Sequence, residues 1–111
     1  MATGPEVDAL FDEVADRLLS EDRGLERARM FTSTGLRTGR RFFALVNAGD
    51  LVVKLPAPRV AELIEGGEGR AFHRGGGGPA MREWVRLQPA DADTCARYME
   101  EARAFVAGGG R

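Results

Sequence analysis

Side chains that could perform nucleophilic or metal chemistry are few in this chain. Cys95 is the only cysteine and His73 is the only histidine, which excludes a disulfide framework and a multi-cysteine metal site. A catalytic Cys95–His73 dyad is one hypothesis. However, Cys95 shares a helical apolar stripe with Met99 and Ala102, which favours a buried structural thiol. His73 has only Glu68 as an acidic neighbour in the sequence, so we predict no catalytic residues, no metal site and no cofactor.

The glycine-rich segment 65–80 is typical of a flexible loop. It contains seven glycines in sixteen positions. A phosphate-binding loop would end in Gly-Lys-Ser/Thr and lead into a helix, whose N–H groups bind the phosphates. Here Pro79 removes a backbone donor and a strand is predicted to follow, so we expect a flexible loop instead.

Glu83 has the most unusual position among the carboxylates. Strand alternation places it on the same side as Met81 and Val85, which are apolar. Two interpretations follow. Either Glu83 is a buried acid paired with an arginine, or a bulge interrupts the alternation at this point.

Basic side chains are the candidates for binding an anion or a nucleic acid. The net charge is only −1, yet residues 1–22 sum to −6 and residues 23–59 to +6. This asymmetry favours two segments that pack together and neutralise each other. The alternative is a basic face for an anionic partner. The candidate binding residues are Arg37, Arg40, Arg41, Lys54 and Arg82.

Two aromatic residues are the candidates for an interface. Phe42 and Phe43 are neighbours on one predicted strand, so they face opposite sides and at least one belongs to the core. Phe42 and Trp84 could share an outer face, where aromatic side chains favour a dimer contact. Arginine beside exposed aromatics is also how single-stranded nucleic acid is bound, so that alternative stays open.

Apolar residues recur at helical period in three segments, which predicts three helices. Gly24 follows the first segment, Gly66 and Gly67 end the second, and Asp91 or Asp93 caps the third. The stripes are Val7, Leu10, Phe11, Val14 and Leu18 in the first segment, Val60, Leu63 and Ile64 in the second, and Cys95, Tyr98, Met99, Ala102, Phe105 and Val106 in the third.

β-branched and aromatic residues predict antiparallel strands between the first two helices and one further strand after the glycine-rich segment. Asn47-Ala48-Gly49-Asp50 is predicted to be a hairpin loop. The predicted elements are a strand over 25–32 ending in a turn at Ser33-Thr34-Gly35, a short segment at 36–38, and strands at 41–46, 51–55 and 81–87.

These elements predict an α+β two-layer domain with the order α-β-β-β-α-β-α and helices on one face of an antiparallel sheet. A length of 111 residues indicates a single domain over 1–111, with a core at about 5–107 and a flexible tail at 108–111. We predict no membrane span and no signal peptide, and therefore a cytoplasmic protein. Exposed sheet edges favour a homodimer.

Several segments resemble the N-terminal domain of the bacterial TfoX/Sxy family. They are Met30-Phe31-Thr32-Ser33-Thr34-Gly35-Leu36, Phe43-Ala44-Leu45-Val46, Gly49-Asp50-Leu51-Val52-Val53-Lys54 and Met81-Arg82-Glu83-Trp84-Val85. The likeness covers about residues 8–106, with Thr32 where the family usually has glycine and Ala80 as an insertion. The spacing is also similar to that of MmcQ/YjbR proteins. The resemblance implies a secretion-chaperone-like α+β fold with no catalytic residues to carry over.

Three functions are consistent with these patterns. The favoured one is a non-catalytic regulatory or protein-interaction module that acts as a homodimer or with another protein. The first alternative is a nucleic-acid-binding transcriptional regulator, which the acidic pI of about 5.9 disfavours. The second alternative is a small enzyme that uses Cys95 or Glu83.

Overall fold

The computed structural model describes residues 4–30, 33–73 and 77–109. Over these residues the element order is α-β-β-β-β-α-β-β-α. The helices are α1 (Gly4–Glu21), α2 (Ala57–Glu65) and α3 (Ala92–Ala107), and the strands are β1 (Leu25–Met30), β2 (Ser33–Thr38), β3 (Arg41–Asn47), β4 (Asp50–Lys54), β5 (Gly69–His73) and β6 (Ala80–Leu87).

The six strands form one open antiparallel sheet in the order β1-β2-β3-β4-β6-β5. All three helices contribute to a single core on one face of this sheet, which we call the inner face. A second, smaller cluster of buried residues contains strand residues only. The structure therefore confirms the predicted α+β two-layer class. Residues that form the inner core include Val7, Phe11, Leu18, Leu36, Phe43, Leu51, Leu63, Val85 and Met99.

The predicted turn at Ser33-Thr34-Gly35 is wrong, because these residues begin β2. Gly35 is required by packing instead of by a turn. A Cβ atom at Gly35 would lie 2.8 Å from the carbonyl oxygen of Ala44 on the neighbouring strand. Residues 31–32 of the predicted 25–32 strand lie outside the described residues.

The prediction of a loop throughout 65–80 is also wrong, because residues 69–73 form β5 at one edge of the sheet. Gly69 allows a close approach here, since a Cβ atom at this position would lie 2.6 Å from Cγ2 of Val85. Residues 74–76 of the predicted loop and 110–111 of the predicted tail lie outside the described residues. At the start of that tail, the Gly108 N–H donates to the Ala104 carbonyl at 3.0 Å and caps α3.

Two neighbouring aromatic residues of β3 lie on opposite faces of the sheet, beside a register shift in its pairing with β2. Leu36 pairs with Ala44 and Arg37 pairs with Phe42, so Phe43 is the extra residue of a bulge. Phe43 is 0% exposed in the inner core, whereas Phe42 packs in the second cluster. This confirms the prediction that the two rings face opposite sides.

None of the described helices is long and apolar enough to cross a membrane.

Candidate functional site

The face of the sheet opposite the inner core, here the outer face, carries its own apolar cluster, which consists of strand residues only among those described. Leu45, Val52 and Trp84 are buried there, and three half-buried side chains pack against them. Cross-strand pairing explains the arrangement, because Leu45 lies opposite Val52 and Trp84 lies opposite Lys54. We call this set the outer cluster: Phe42, Leu45, Val52, Phe72, Met81 and Trp84.

Three cationic side chains lie over the rings of the outer cluster. The Arg37 guanidinium is 6.0 Å from the centroid of Phe42, and the Lys54 ammonium is 5.9 Å from that of Trp84. The Arg86 guanidinium is 5.6 Å from the Phe72 centroid. At these distances a cation is attracted by the ring quadrupole, and its aliphatic stem excludes water from the ring. Trp84 is only 7% exposed although it lies on the face of the sheet opposite the inner core.

Carboxylates beside these cations give the outer face both signs of charge. Glu26 on β1 accepts a hydrogen bond from Arg37, and the Glu83 carboxylate lies 4.0 Å from the Lys54 ammonium. The Glu83 side chain is 36% exposed and its partner is a lysine. The hypothesis of a buried Glu83–arginine pair is therefore wrong, and the strand shows the irregular register of the second interpretation.

Asp50 is the functional feature that the sequence interpretation missed, since it was assigned to a hairpin loop. Asp50 is the first residue of β4. Its side chain is 4% exposed and lies on the outer face. Asp50 accepts hydrogen bonds from Arg86 Nε at 2.8 Å, from Gln88 Nε2 at 2.9 Å and from Arg70. Arg86 also donates to the Asn47 carbonyl at 3.0 Å, and no buried side-chain nitrogen or oxygen of the described residues lacks a hydrogen-bond partner. The signal available in the sequence was the alternation that puts Asp50 on one side with Val52 and Lys54.

The five candidate anion-binding residues do not converge on one site. Arg37 and Lys54 belong to the outer face, as described above. Arg40 is exposed in the β2–β3 turn with φ of 76°, and Arg41 is exposed at the start of β3. Arg82 is exposed on β6, which β4 separates from β2 and β3 in the sheet.

Opposite charges from the acidic and basic segments do pack together. Arg27 on β1 binds the carboxylates of Asp12 and Asp16 on α1 at 3.1 and 2.8 Å. Arg103 on α3 binds Asp22 at 2.9 Å. The Arg27 pairs agree with the interpretation that the two segments neutralise each other, whereas Arg103 lies outside the basic segment.

The structure separates Cys95 from His73, so the dyad hypothesis is wrong. Cys95 is fully buried in the inner core, where its thiol lies 3.6 Å from Sδ of Met99. Burial raises the pKa of this thiol to about 12, which leaves essentially no thiolate near neutral pH. His73 is exposed on β5, with Nδ1 at 2.9 Å from the Gly78 carbonyl oxygen. Within the described ranges, no three His, Cys, Asp or Glu residues are grouped as metal ligands.

Two concave regions lie between helices and strands, and the second of them shares Met81 and Trp84 with the outer cluster. A polar pocket of about 330 Å³ lies between α1 and the β3–β4 turn and is lined by residues that include Asp8, Asp12 and Asn47. An apolar groove of about 440 Å³ lies between α2 and β6, and Arg82 is the only charged residue in its lining among the described residues. We call the second region the α2–β6 groove.

Comparison of the chain with family models, with curated proteins and with solved structures finds no significant match. The resemblance to the TfoX/Sxy N-terminal domain therefore stays a prediction from the sequence segments. The outer face and the α2–β6 groove are the features from which a function can be argued.

Proposed function

We propose that this protein is a non-catalytic regulatory module that forms a homodimer through the outer face of its sheet. The observation that carries the proposal is an apolar cluster on the sheet face opposite the three described helices. Phe42, Phe72 and Met81 each remain half-buried in the single chain. A second copy would complete their burial, and aromatic, Met and Arg side chains are enriched at protein interfaces.

The charges of the outer face are compatible with contact between two identical surfaces. A two-fold interface requires one patch that complements itself. Arg37 and Lys54 lie beside Glu26 and Glu83 on this face. Each copy therefore presents both positive and negative side chains on this face. Two copies related by a two-fold axis can place the cations of one copy beside the carboxylates of the other.

Two further observations support a regulatory role over a catalytic one. The Cys95 thiol is buried and protonated near neutral pH, and Glu83 pairs with Lys54 on an open face. The resemblance to the TfoX/Sxy N-terminal domain supports a regulatory protein of that type. A single free thiol also suits the reducing cytoplasm, which is the proposed location.

The test is the solution mass of the wild type and of Phe42→Glu, measured by sedimentation equilibrium. The subunit mass is 12.0 kDa. The wild type should sediment at twice that mass at micromolar concentration. Phe42→Glu should sediment as a monomer with an unchanged circular dichroism spectrum, because it places a carboxylate within the proposed contact.

Ile64→Glu is the matched control, because Ile64 is 39% exposed on α2 and is not a member of the outer cluster. This variant should remain dimeric. A wild type that stays monomeric at all accessible concentrations would contradict the proposal. Dissociation by Ile64→Glu but not by Phe42→Glu would place the interface elsewhere.

One alternative is supported by a specific observation, the three cations over three rings. Cationic and aromatic side chains together bind single-stranded nucleic acid. Fluorescence anisotropy of labelled single- and double-stranded DNA, at low and near-physiological salt, tests this alternative. Binding that weakens steeply with salt and that Arg37→Gln reduces would favour it over the dimer. The absence of binding at low salt would remove it, because screening is weakest there.

A further inference from the structure

We infer that the α2–β6 groove binds a small amphiphile that has an apolar chain and one carboxylate, such as a medium-chain fatty acid. This site adjoins the proposed dimer contact, since Met81 and Trp84 belong both to the groove lining and to the outer cluster. The inference rests on the composition of the groove, on the position of Arg82 and on the irregular pairing of β6.

The walls of the groove are apolar and reach the surface. Ala61 and Ile64 on α2 face Met81 and Trp84 on β6 across it. Ile64 is 39% exposed and is the only large apolar residue that is exposed among the described ones. The volume of about 440 Å³ lies within the range of small-molecule sites and is small for a protein segment. An alkyl chain matches these walls.

Arg82 supplies the complementary charge. It is exposed, lines the groove, and has no carboxylate within 4 Å among the described residues. In contrast, Arg59 on α2 binds two carboxylates, those of Glu62 and Glu101, which raise its pKa. A guanidinium without a partner at the end of an apolar surface is suited to a carboxylate headgroup.

The pairing of β5 with β6 explains why the groove exists. Ala71 pairs with Val85 and His73 pairs with Ala80, so four β6 residues lie opposite the single residue Phe72. The extra β6 residues include Met81 and Arg82, and both line the groove. Irregular strand segments of this kind re-aim side chains and are frequent beside binding sites.

A second copy of the chain is a poorer occupant than a small carboxylate. In a two-fold contact centred on the groove, the Arg82 side chains of the two copies would face each other, and like charges repel. A carboxylate ligand has the opposite charge and no such cost. Charge complementarity therefore favours a carboxylate amphiphile over a second copy of the chain as the occupant of the groove.

Trp84 provides the measurement, because it is the only tryptophan and it lines the groove. Decanoate below its micelle concentration is titrated into the wild type while Trp84 emission is recorded, and calorimetry gives the stoichiometry. We expect a saturable change at one ligand per chain. Shortening the chain to octanoate should weaken binding by up to about fourfold for each methylene removed.

Arg82→Gln should raise the decanoate Kd about tenfold, through the loss of a charge-assisted hydrogen bond. Arg40→Gln is the matched control: it makes the same change of charge at an exposed arginine in the β2–β3 turn, and the Kd should not change. Ala61→Phe fills the groove and should abolish binding, with folding verified by circular dichroism. Phe42→Glu should still bind decanoate, because Phe42 does not line the groove.

Four results would overturn the inference. They are no saturable change with decanoate, decanol binding as tightly as decanoate, an equal loss in Arg40→Gln and Arg82→Gln, and dissociation of a dimer by Ala61→Phe. The last result would mean that a second copy covers the groove.

Discussion

Three helices pack on the inner face of the sheet, whereas the cluster on the outer face consists, among the described residues, of strand side chains only. On the inner face Phe43, Leu51 and Val85 are 0% exposed among other apolar residues. On the outer face Trp84 is shielded by neighbours that include the stem of Lys54. Burial on the inner face is thus complete within one chain, while the charged layer over the outer face can be rearranged by a partner. The inner face should therefore determine stability and the outer face should determine binding.

The largest expected effect compares neighbouring rings on the two faces. Phe43→Ala should lower the free energy of unfolding by about 3–5 kcal/mol, because it leaves a cavity in the inner core. Phe42→Ala should lower it by only about 1–2 kcal/mol, because Phe42 is half-buried in the single chain. Urea unfolding of monomeric protein measures both. Equal losses would show that the outer cluster is as important for stability as the inner core.

The second comparison lies within the outer face, at the Asp50 network. Asp50→Ala should cost about 2–4 kcal/mol, since it leaves the Arg86 guanidinium, 17% exposed, without its carboxylate. Arg70→Ala removes another partner of Asp50, but the Arg70 side chain is 63% exposed. Its loss should cost no more than about 0.5 kcal/mol. Urea unfolding of both variants would contradict this account if Arg70→Ala proved the more costly.

The inner face was predictable from the sequence to a greater extent than the outer face. Helical periodicity places Val7, Phe11 and Leu18 on one side of α1, and all three are buried in the inner core. Such periodicity is local, so it can be read without knowing which elements meet. The same periodicity correctly predicts that Cys95 is buried in the core.

The outer face depends on contacts between distant residues and was predicted only in part. The strand patterns place Phe42 and Trp84 on this face, as the structure has them. Asp50, however, binds Arg70 and Arg86, which lie 20 and 36 positions further along the chain. No local sequence pattern predicts these contacts. β5 was missed because Gly69, which packs closely against Val85, is also typical of a loop.

A third prediction concerns the buried thiol of the inner core. Burial raises the pKa of Cys95 from 9.0 to about 12 in the folded protein. The folded state therefore holds this proton more tightly than the unfolded state. Its contribution to stability is complete below about pH 9 and is lost as the pH rises towards 12. Between neutral pH and pH about 10, urea unfolding should show a steeper loss of stability for the wild type than for Cys95→Ala.

The comparison with Cys95→Ala isolates the thiol, since burial also raises the pKa of Tyr98 and that residue is present in both proteins. As an independent check, a disulfide reagent should modify Cys95 in urea but not in the native protein near neutral pH. Identical pH profiles for the two proteins, or rapid modification of the native protein, would show that the inner face admits solvent at this position.

The smallest expected effect is at the start of α3, in the helical layer over the inner face. Asp91 Oδ1 accepts a hydrogen bond from the Thr94 N–H at 2.8 Å, and this bond lowers the pKa of Asp91 below its ordinary value of 3.8. Its contribution is therefore present above that pH and is lost as the pH falls below it. Asp91→Ala should lower the Tm by roughly a few degrees at neutral pH, and the difference should shrink in acid.

Asp93→Ala is the matched control, because Asp93 lies in the first turn of α3 but is not its N-cap. Thermal melts followed by circular dichroism should show a smaller shift for Asp93→Ala than for Asp91→Ala. The native emission of Trp84 should be the same in both variants, since α3 packs against the inner face and Trp84 belongs to the outer cluster. A change in Trp84 emission on removal of the cap would mean that the two faces are coupled through the sheet. In that case a partner bound on the outer face would also alter the stability of the helical layer.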